Sequence, residues 1–139
     1  MSLPERDAAF LAERCGDAFV VVEGGMTAVV LPHFHLPPGL SVDEAELLVR
    51  LSPGYPDVPP DMWWFHPPIR RADDAPIPAT DVYERHLDKV WQRWSRHLAP
   101  GQWRSGVDSL ESYLSLIRNQ LAHAAEWPET PDQRVARDG

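Results

Sequence analysis

Apolar and polar positions alternate with one period in the first half of the chain and another in the second, and this change predicts the elements. Residues 3–15 predict a helix: Ser2 followed by Glu5 has capping-box spacing, Pro4 suits a first turn, and Gly16 can close the helix in a left-handed conformation. Phe19–Val22 and Thr27–Leu31 are β-rich runs separated by Gly24 and Gly25, which predicts a hairpin. In Ala45–Leu51 the charged Glu46 and Arg50 take one face and Leu47, Val49 and Leu51 the other, the period of a third strand. Met62–Phe65 is boxed in by Pro59, Pro60, Pro67 and Pro68, so it can form only a short fourth strand, because proline supplies no ladder donor.

From Asp81 the period lengthens. Leu87, Val90, Trp91, Trp94 and Leu98 recur at three- and four-residue steps, which predicts a helix over 81–98. A further helix is expected from a cap at Ser105, with Asp108 three residues on and an apolar stripe of Val107, Leu110, Leu114, Ile117 and Leu121. Beyond it the text turns polar and proline-broken. The expected layout is α+β: an N-terminal helix, an antiparallel meander of about four strands, and C-terminal helices on one side of the sheet.

Composition narrows this to one domain over 1–125, with a polar tail over 126–139; 139 residues at 43% apolar content suffice for a single core. A net charge of −8 offers nucleic acid or an anionic membrane no basic surface, and no apolar run is long enough to span a bilayer. The start of the chain carries charges where a signal peptide needs an apolar segment, so a cytoplasmic protein is expected. Cys15 is the only cysteine, which excludes an internal disulfide and a thiolate zinc cluster. With no glycine-rich phosphate loop and no metal-ligand cluster, no cofactor is expected.

The most specific segment is Leu51-Ser-Pro-Gly-Tyr-Pro-Asp-Val-Pro-Pro-Asp-Met62. It resembles the Tyr-Pro-x-x-Pro-Pro turn that follows the third strand of the ubiquitin-conjugating (UBC, or E2) superfamily, here Tyr55, Pro56, Pro59 and Pro60. Trp103-Arg-Ser-Gly-Val-Asp-Ser-Leu110, leading into the last helix, is similar to that family's tryptophan and following helix. Trp91-Gln-Arg-Trp-Ser-Arg-His97 with Trp103 looks like the prokaryotic branch, and the likeness covers roughly residues 3–122. It implies a UBC-like fold and an E2-like carrier that receives a ubiquitin-like protein from an E1-like activating enzyme of the ThiF type. A protein monomeric by itself is expected.

The departures bear on chemistry. The family's catalytic cysteine lies eight residues before the tryptophan, and here that position is Ser95. Its His-Pro-Asn has only His66-Pro67-Pro68 as a partial echo, without the asparagine, and the glycine before the cysteine is absent. A serine could hold the acyl group as an oxyester, but a hydroxyl needs a base to take its proton. His97 is near in sequence. In a helix residues two apart point about 200° away from each other, so a helix over 81–98 would leave the base to His66, His33 or His35. Against the nucleophile stands the reading of Ser95 as an ordinary solvated serine, and of the chain as a non-catalytic UBC-like adaptor. A hydrolase is disfavoured because no Gly-x-Ser-x-Gly elbow occurs. His33 and His35 could be a metal pair without a third ligand, or an exposed hairpin. The four tryptophans 63, 64, 91 and 94 read as core or interface, and Arg70, Arg71, Asp73 and Asp74 as a solvated loop.

Overall fold

The computed structural model describes residues 3–126. Ser2 of the expected capping box, and residues 127–139 of the expected tail, lie outside the described residues. Helix α1 (Glu5–Arg14) begins directly after Pro4 and ends where the Cys15 N–H reaches back to the Leu11 carbonyl at 2.9 Å. Gly16 is not among the left-handed glycines, so α1 closes without the cap expected there.

Strands β1 (Phe19–Glu23), β2 (Met26–His35), β3 (Glu44–Leu51) and β4 (Trp63–His66) form the expected antiparallel meander. The turn between β1 and β2 needs Gly24 and Gly25, both at positive φ, where a side chain would be strained.

The segment 81–98 departs from its expected form. It is a hairpin, β5 (Val82–His86) and β6 (Lys89–Trp94), joined by Leu87 and Asp88. Both linking residues have positive φ (54° and 60°), the geometry of the two-residue turn whose twist matches that of paired strands. The apolar residues that suggested one helical stripe belong instead to two faces of a strand: Trp94 is buried in the main core and Trp91 in a second cluster. β6 pairs with β4, Trp63 opposite Trp94 and Phe65 opposite Gln92, so the sheet has six strands in the order β1-β2-β3-β4-β6-β5. Four strands were expected, and the added hairpin accounts for the difference.

Among the described residues a single helix, α2 (Leu110–Glu126), follows the sheet where more than one was expected. Its cap is Ser109, whose N–H donates to Ser112 Oγ at 2.9 Å. Ser105 donates its hydroxyl to Asp57 instead, and Val107, assigned to the apolar stripe, is exposed.

The strands alternate two buried faces. Val29, Leu31, Leu47, Val49, Leu51, Trp63, Phe65 and Trp94 belong to the main core together with Leu11 of α1 and Tyr113, Leu114, Ile117 and Leu121 of α2. Ala28, Val30, Leu48, Trp64 and Trp91 form the second cluster, with Met62 and Leu87 against it. The sheet curls far enough that the Leu87 N–H in the β5–β6 turn donates to Glu23, at the end of β1, at 2.6 Å. This folded-over hairpin covers apolar surface that an open meander would leave to solvent.

Two buried polar groups tie loops to this frame. Gln92 accepts from the Ile69 N–H at 2.8 Å and donates to the Ile69 carbonyl at 3.0 Å, fixing the proline-rich crossing to β6. Arg71, expected in a solvated loop, is buried; it donates to the Ala124 carbonyl near the end of α2 and grips Asp73 through two bonds of 2.9 and 2.7 Å. The Arg71 guanidinium holds the Asp73 carboxyl down at about 2.

Candidate functional site

The Tyr-Pro-x-x-Pro-Pro turn positions the site by burying its tyrosine. Tyr55 is 8% exposed and its ring lies 6.1 Å from that of Trp103. The Trp103 indole N–H donates to the Pro56 carbonyl at 2.9 Å, so the tryptophan and the turn hold one another. The Tyr55 hydroxyl donates to Asp7 Oδ2 at 2.8 Å, and Asp7 Oδ1 accepts the Leu110 N–H at 3.0 Å. A carboxylate 2% exposed in α1 thus joins the turn to the start of α2, where the positive end of the helix dipole favours it. No periodicity in the sequence marked Asp7 as more than a surface acid.

Burial, with Asp7 beside it, pushes the Tyr55 hydroxyl well up from its ordinary value; burial does the same to Tyr113, with Asp61 adding to it. Such groups favour the neutral form in the fold, so their contribution is complete below pH 10 and is lost as pH rises through the folded values. Stability is therefore expected to fall above pH 10 by up to about 1.4 kcal/mol per pH unit for each tyrosine. The phenolate absorbance of Tyr55 and Tyr113 should appear together with loss of the helical signal; ionisation of both in the folded protein would contradict this placement.

Ser95 follows the last residue of β6. Its N–H donates to the Ala79 carbonyl at 3.0 Å, and its half-buried side chain accepts a bond from Arg93 Nε at 2.9 Å. Arg93 is itself anchored, its Nη1 donating to Glu84 Oε2 at 2.9 Å, while Glu84 Oε1 accepts from the Trp64 indole at 2.8 Å. Burial pushes the Glu84 carboxyl up, but the Trp64, His86 and Arg93 donors outweigh it and leave it below its ordinary value. A fixed guanidinium thus points at the serine oxygen, where it favours negative charge. Among the described residues this is the only hydrogen bond the hydroxyl makes.

The candidate histidines 33, 35, 66 and 97 divide between the two ends of the sheet. His66 Nδ1 lies 3.0 Å from the Val90 carbonyl at the far end of β4, about 10 Å along the strand from Trp63, which pairs with Trp94 next to Ser95. His33 and His35, exposed at the end of β2, share that far end; His33 Nδ1 lies 3.2 Å from Glu44 Oε1. Among the described residues no group of His, Cys, Asp and Glu could hold a metal ion. The structure does not bring His66, His33 or His35 to Ser95. Cys15 also lies at that end, half-buried beside a cleft with His33, His35 and Arg118; burial raises its thiol pKa.

His97 is on the Ser95 side. The chain between them is not helical, so the helical argument against pairing them no longer applies. His97 Nδ1 lies 2.7 Å from Asp61 Oδ1, beside a cleft of about 120 Å³ lined by Trp63, Arg96, Leu98, Gln102 and Tyr113.

Residues 3–124 match the family described as Prokaryotic E2 family E. The chain belongs to that family. No curated protein and no solved structure matches it. Membership gives this family E protein an E2-like role in prokaryotic ubiquitin-like conjugation, and with it dealings with the partners of such pathways. Its antiparallel sheet and flanking helices agree with an E2-like α+β fold, and no helix among the described residues is long and apolar enough to cross a membrane. The matched span contains Tyr55, Pro56, Pro59, Pro60 and Trp103, with the Trp103 ring on Tyr55 and its indole N–H on the Pro56 carbonyl, and Ser95 stands eight positions before the tryptophan.

Proposed function

We propose that this family E protein is a carrier that accepts a ubiquitin-like protein from an E1-like, ThiF-type activating enzyme and holds its C-terminal carbonyl as an oxyester on Ser95. The single observation that carries this reading is the Arg93–Ser95 bond of 2.9 Å, made by a guanidinium already fixed by Glu84. A charge-assisted donor on the oxygen makes alkoxide character cheaper in both loading and release. The position supports the same reading, since the serine lies eight residues before the tryptophan that locks the Tyr55 turn.

The protein is incubated with activating enzyme, ATP and ubiquitin-like protein. A covalent adduct that survives reducing agent but yields to hydroxylamine is the expected product. An adduct that resists hydroxylamine, as an isopeptide would, counts against the ester. A second reading, the non-catalytic adaptor, is favoured by the lack of any imidazole on the Ser95 hydroxyl among the described residues. It predicts binding of the same partners with no adduct at all.

A further inference from the structure

We propose that Asp61 and His97 form a built carboxylate–imidazole pair in which His97 is the general base for the acceptor amine and Asp61 is its positioning residue. This deepens the carrier reading above and rests on it. The pair joins residues 36 apart in sequence at 2.7 Å, and the backbone beside it is fixed by bonds of its own. Asp61 follows Pro59 and Pro60, whose rings restrict the approach. Met62, the next residue, has a φ of 63°, a conformation uncommon for a residue with a side chain. It stays there because two bonds clamp it: its N–H donates to the carbonyl of Arg96, the residue before His97, at 3.2 Å, and its carbonyl accepts the Tyr113 hydroxyl at 2.8 Å. Strain of this kind persists only where the surroundings over-determine it, and it clusters at functional sites. The clamp ties the segment that enters β4 to the segment that leaves β6 and to α2.

With Nδ1 given to the carboxylate, the proton of neutral His97 sits on Nδ1 and the Nε2 lone pair is left to accept another. The two side chains are 62% and 60% exposed, as a base for an incoming macromolecular acceptor must be. His97 is two residues from Ser95, so their Cα atoms are at most about 7 Å apart. In the transfer step the acceptor nitrogen attacks the ester carbonyl on Ser95 and gives its proton to His97 Nε2. The C–N bond forms, the bond from carbonyl carbon to Ser95 Oγ breaks, and the departing oxygen, steadied by Arg93, takes back the proton. The acyl group moves from oxygen to nitrogen, one proton moves the other way, and no electrons are exchanged with another reagent.

Two measurements test the pair. The first uses the free protein, with diethyl pyrocarbonate as probe and mass spectrometry to rank the histidines. His97 should be ethoxyformylated severalfold faster than exposed His35; Asp61→Ala should reduce it to the His35 rate, and Asp61→Glu should restore part of it. Long-range nitrogen–proton spectra of neutral His97 should show the proton on Nδ1, moving toward Nε2 in Asp61→Ala. If His97 reacts no faster than His35 and its tautomer ignores Asp61, the pair is overturned whatever the protein carries. The second is single-turnover discharge of the preformed adduct to a lysine-containing acceptor peptide: His97→Ala should slow it about 100-fold and Asp61→Ala about tenfold, with no further loss in the double variant. Normal loading with unchanged discharge in these variants overturns the base and leaves the carrier reading standing. If no adduct forms even in the unaltered protein, the carrier reading fails, and the first measurement still decides the pair.

Discussion

Ser95→Cys is expected to convert a thiol-resistant adduct into one that reducing agent removes, while Ser95→Ala gives none. The size of the effect follows from the nucleophile. A thiol already holds a few per cent thiolate near neutral pH, whereas a serine hydroxyl depends on neighbouring groups for its proton. Arg93 Nε is aimed at the Oγ position of residue 95, so a cysteine thiolate there is stabilised by the same guanidinium that steadies the serine oxygen. Loading of Ser95→Cys should therefore be at least as fast as that of the unaltered chain. Neither change should disturb folding, because the backbone N–H of Ser95 keeps its bond to the Ala79 carbonyl in the turn before β5, and removing one half-buried hydroxyl costs under about 1 kcal/mol. Thermal unfolding followed by circular dichroism checks this, and gel analysis with and without thiol reads the adduct. Unchanged loading of Ser95→Ala would remove the serine from the reaction.

Asp7→Ala is expected to damage the fold severely. It removes one carboxylate but strands two donors, the Tyr55 hydroxyl and the Leu110 N–H, both in buried surroundings. A buried donor left without an acceptor costs about 1–3 kcal/mol, so the pair together should cost about 4 kcal/mol. That is a large share of the 5–15 kcal/mol typical of a whole domain, and it should lower the melting temperature by about 15 °C. Asp7→Asn should cost less, since its amide oxygen can still accept one of the two bonds. The consequence extends to function: Tyr55 packs on Trp103, and Trp103 holds the turn that leads to Asp61. A loss below about 1 kcal/mol in urea unfolding would show that water replaces the carboxylate and that Asp7 is not the tie described here.

The first half of the fold was legible in the sequence because its signals are local. Glu46 and Arg50 alternate with Leu47, Val49 and Leu51, and a period of two in a half-buried strand needs no knowledge of the partner. Gly24 and Gly25 mark their turn for a similarly local reason, the positive φ it requires. Tyr55, the turn prolines and Trp103 could be placed as one unit because their spacing resembles a known pattern. The segment from Val82 to Trp94 could not be placed this way. Leu87, Val90, Trp91 and Trp94 fit a helical stripe as well as two faces of a strand, and Leu87, a residue seldom found at positive φ, occupies the turn where asparagine or glycine would have signalled a hairpin.

What decided that segment was pairing at a distance: Trp63 on Trp94 in the ladder, Gln92 on the Ile69 backbone, and the hairpin tip on Glu23. The site divides along the same line. Ser95 and His97 could be nominated from the sequence by their spacing to Trp103 and by their chemistry. Arg93 as the serine's donor, Asp61 as the histidine's partner and Asp7 as the tie between the turn and α2 depend on contacts across 2, 36 and 103 residues. The longer two join segments that only the packed sheet and helix bring together, and even the shortest required β6 to be a strand, since alternation places residues 93 and 95 on one face. Sequence periodicity specifies which face of an element is buried; which polar groups then meet is fixed by the tertiary fold, because each must find its partner in a neighbour that local pattern does not name.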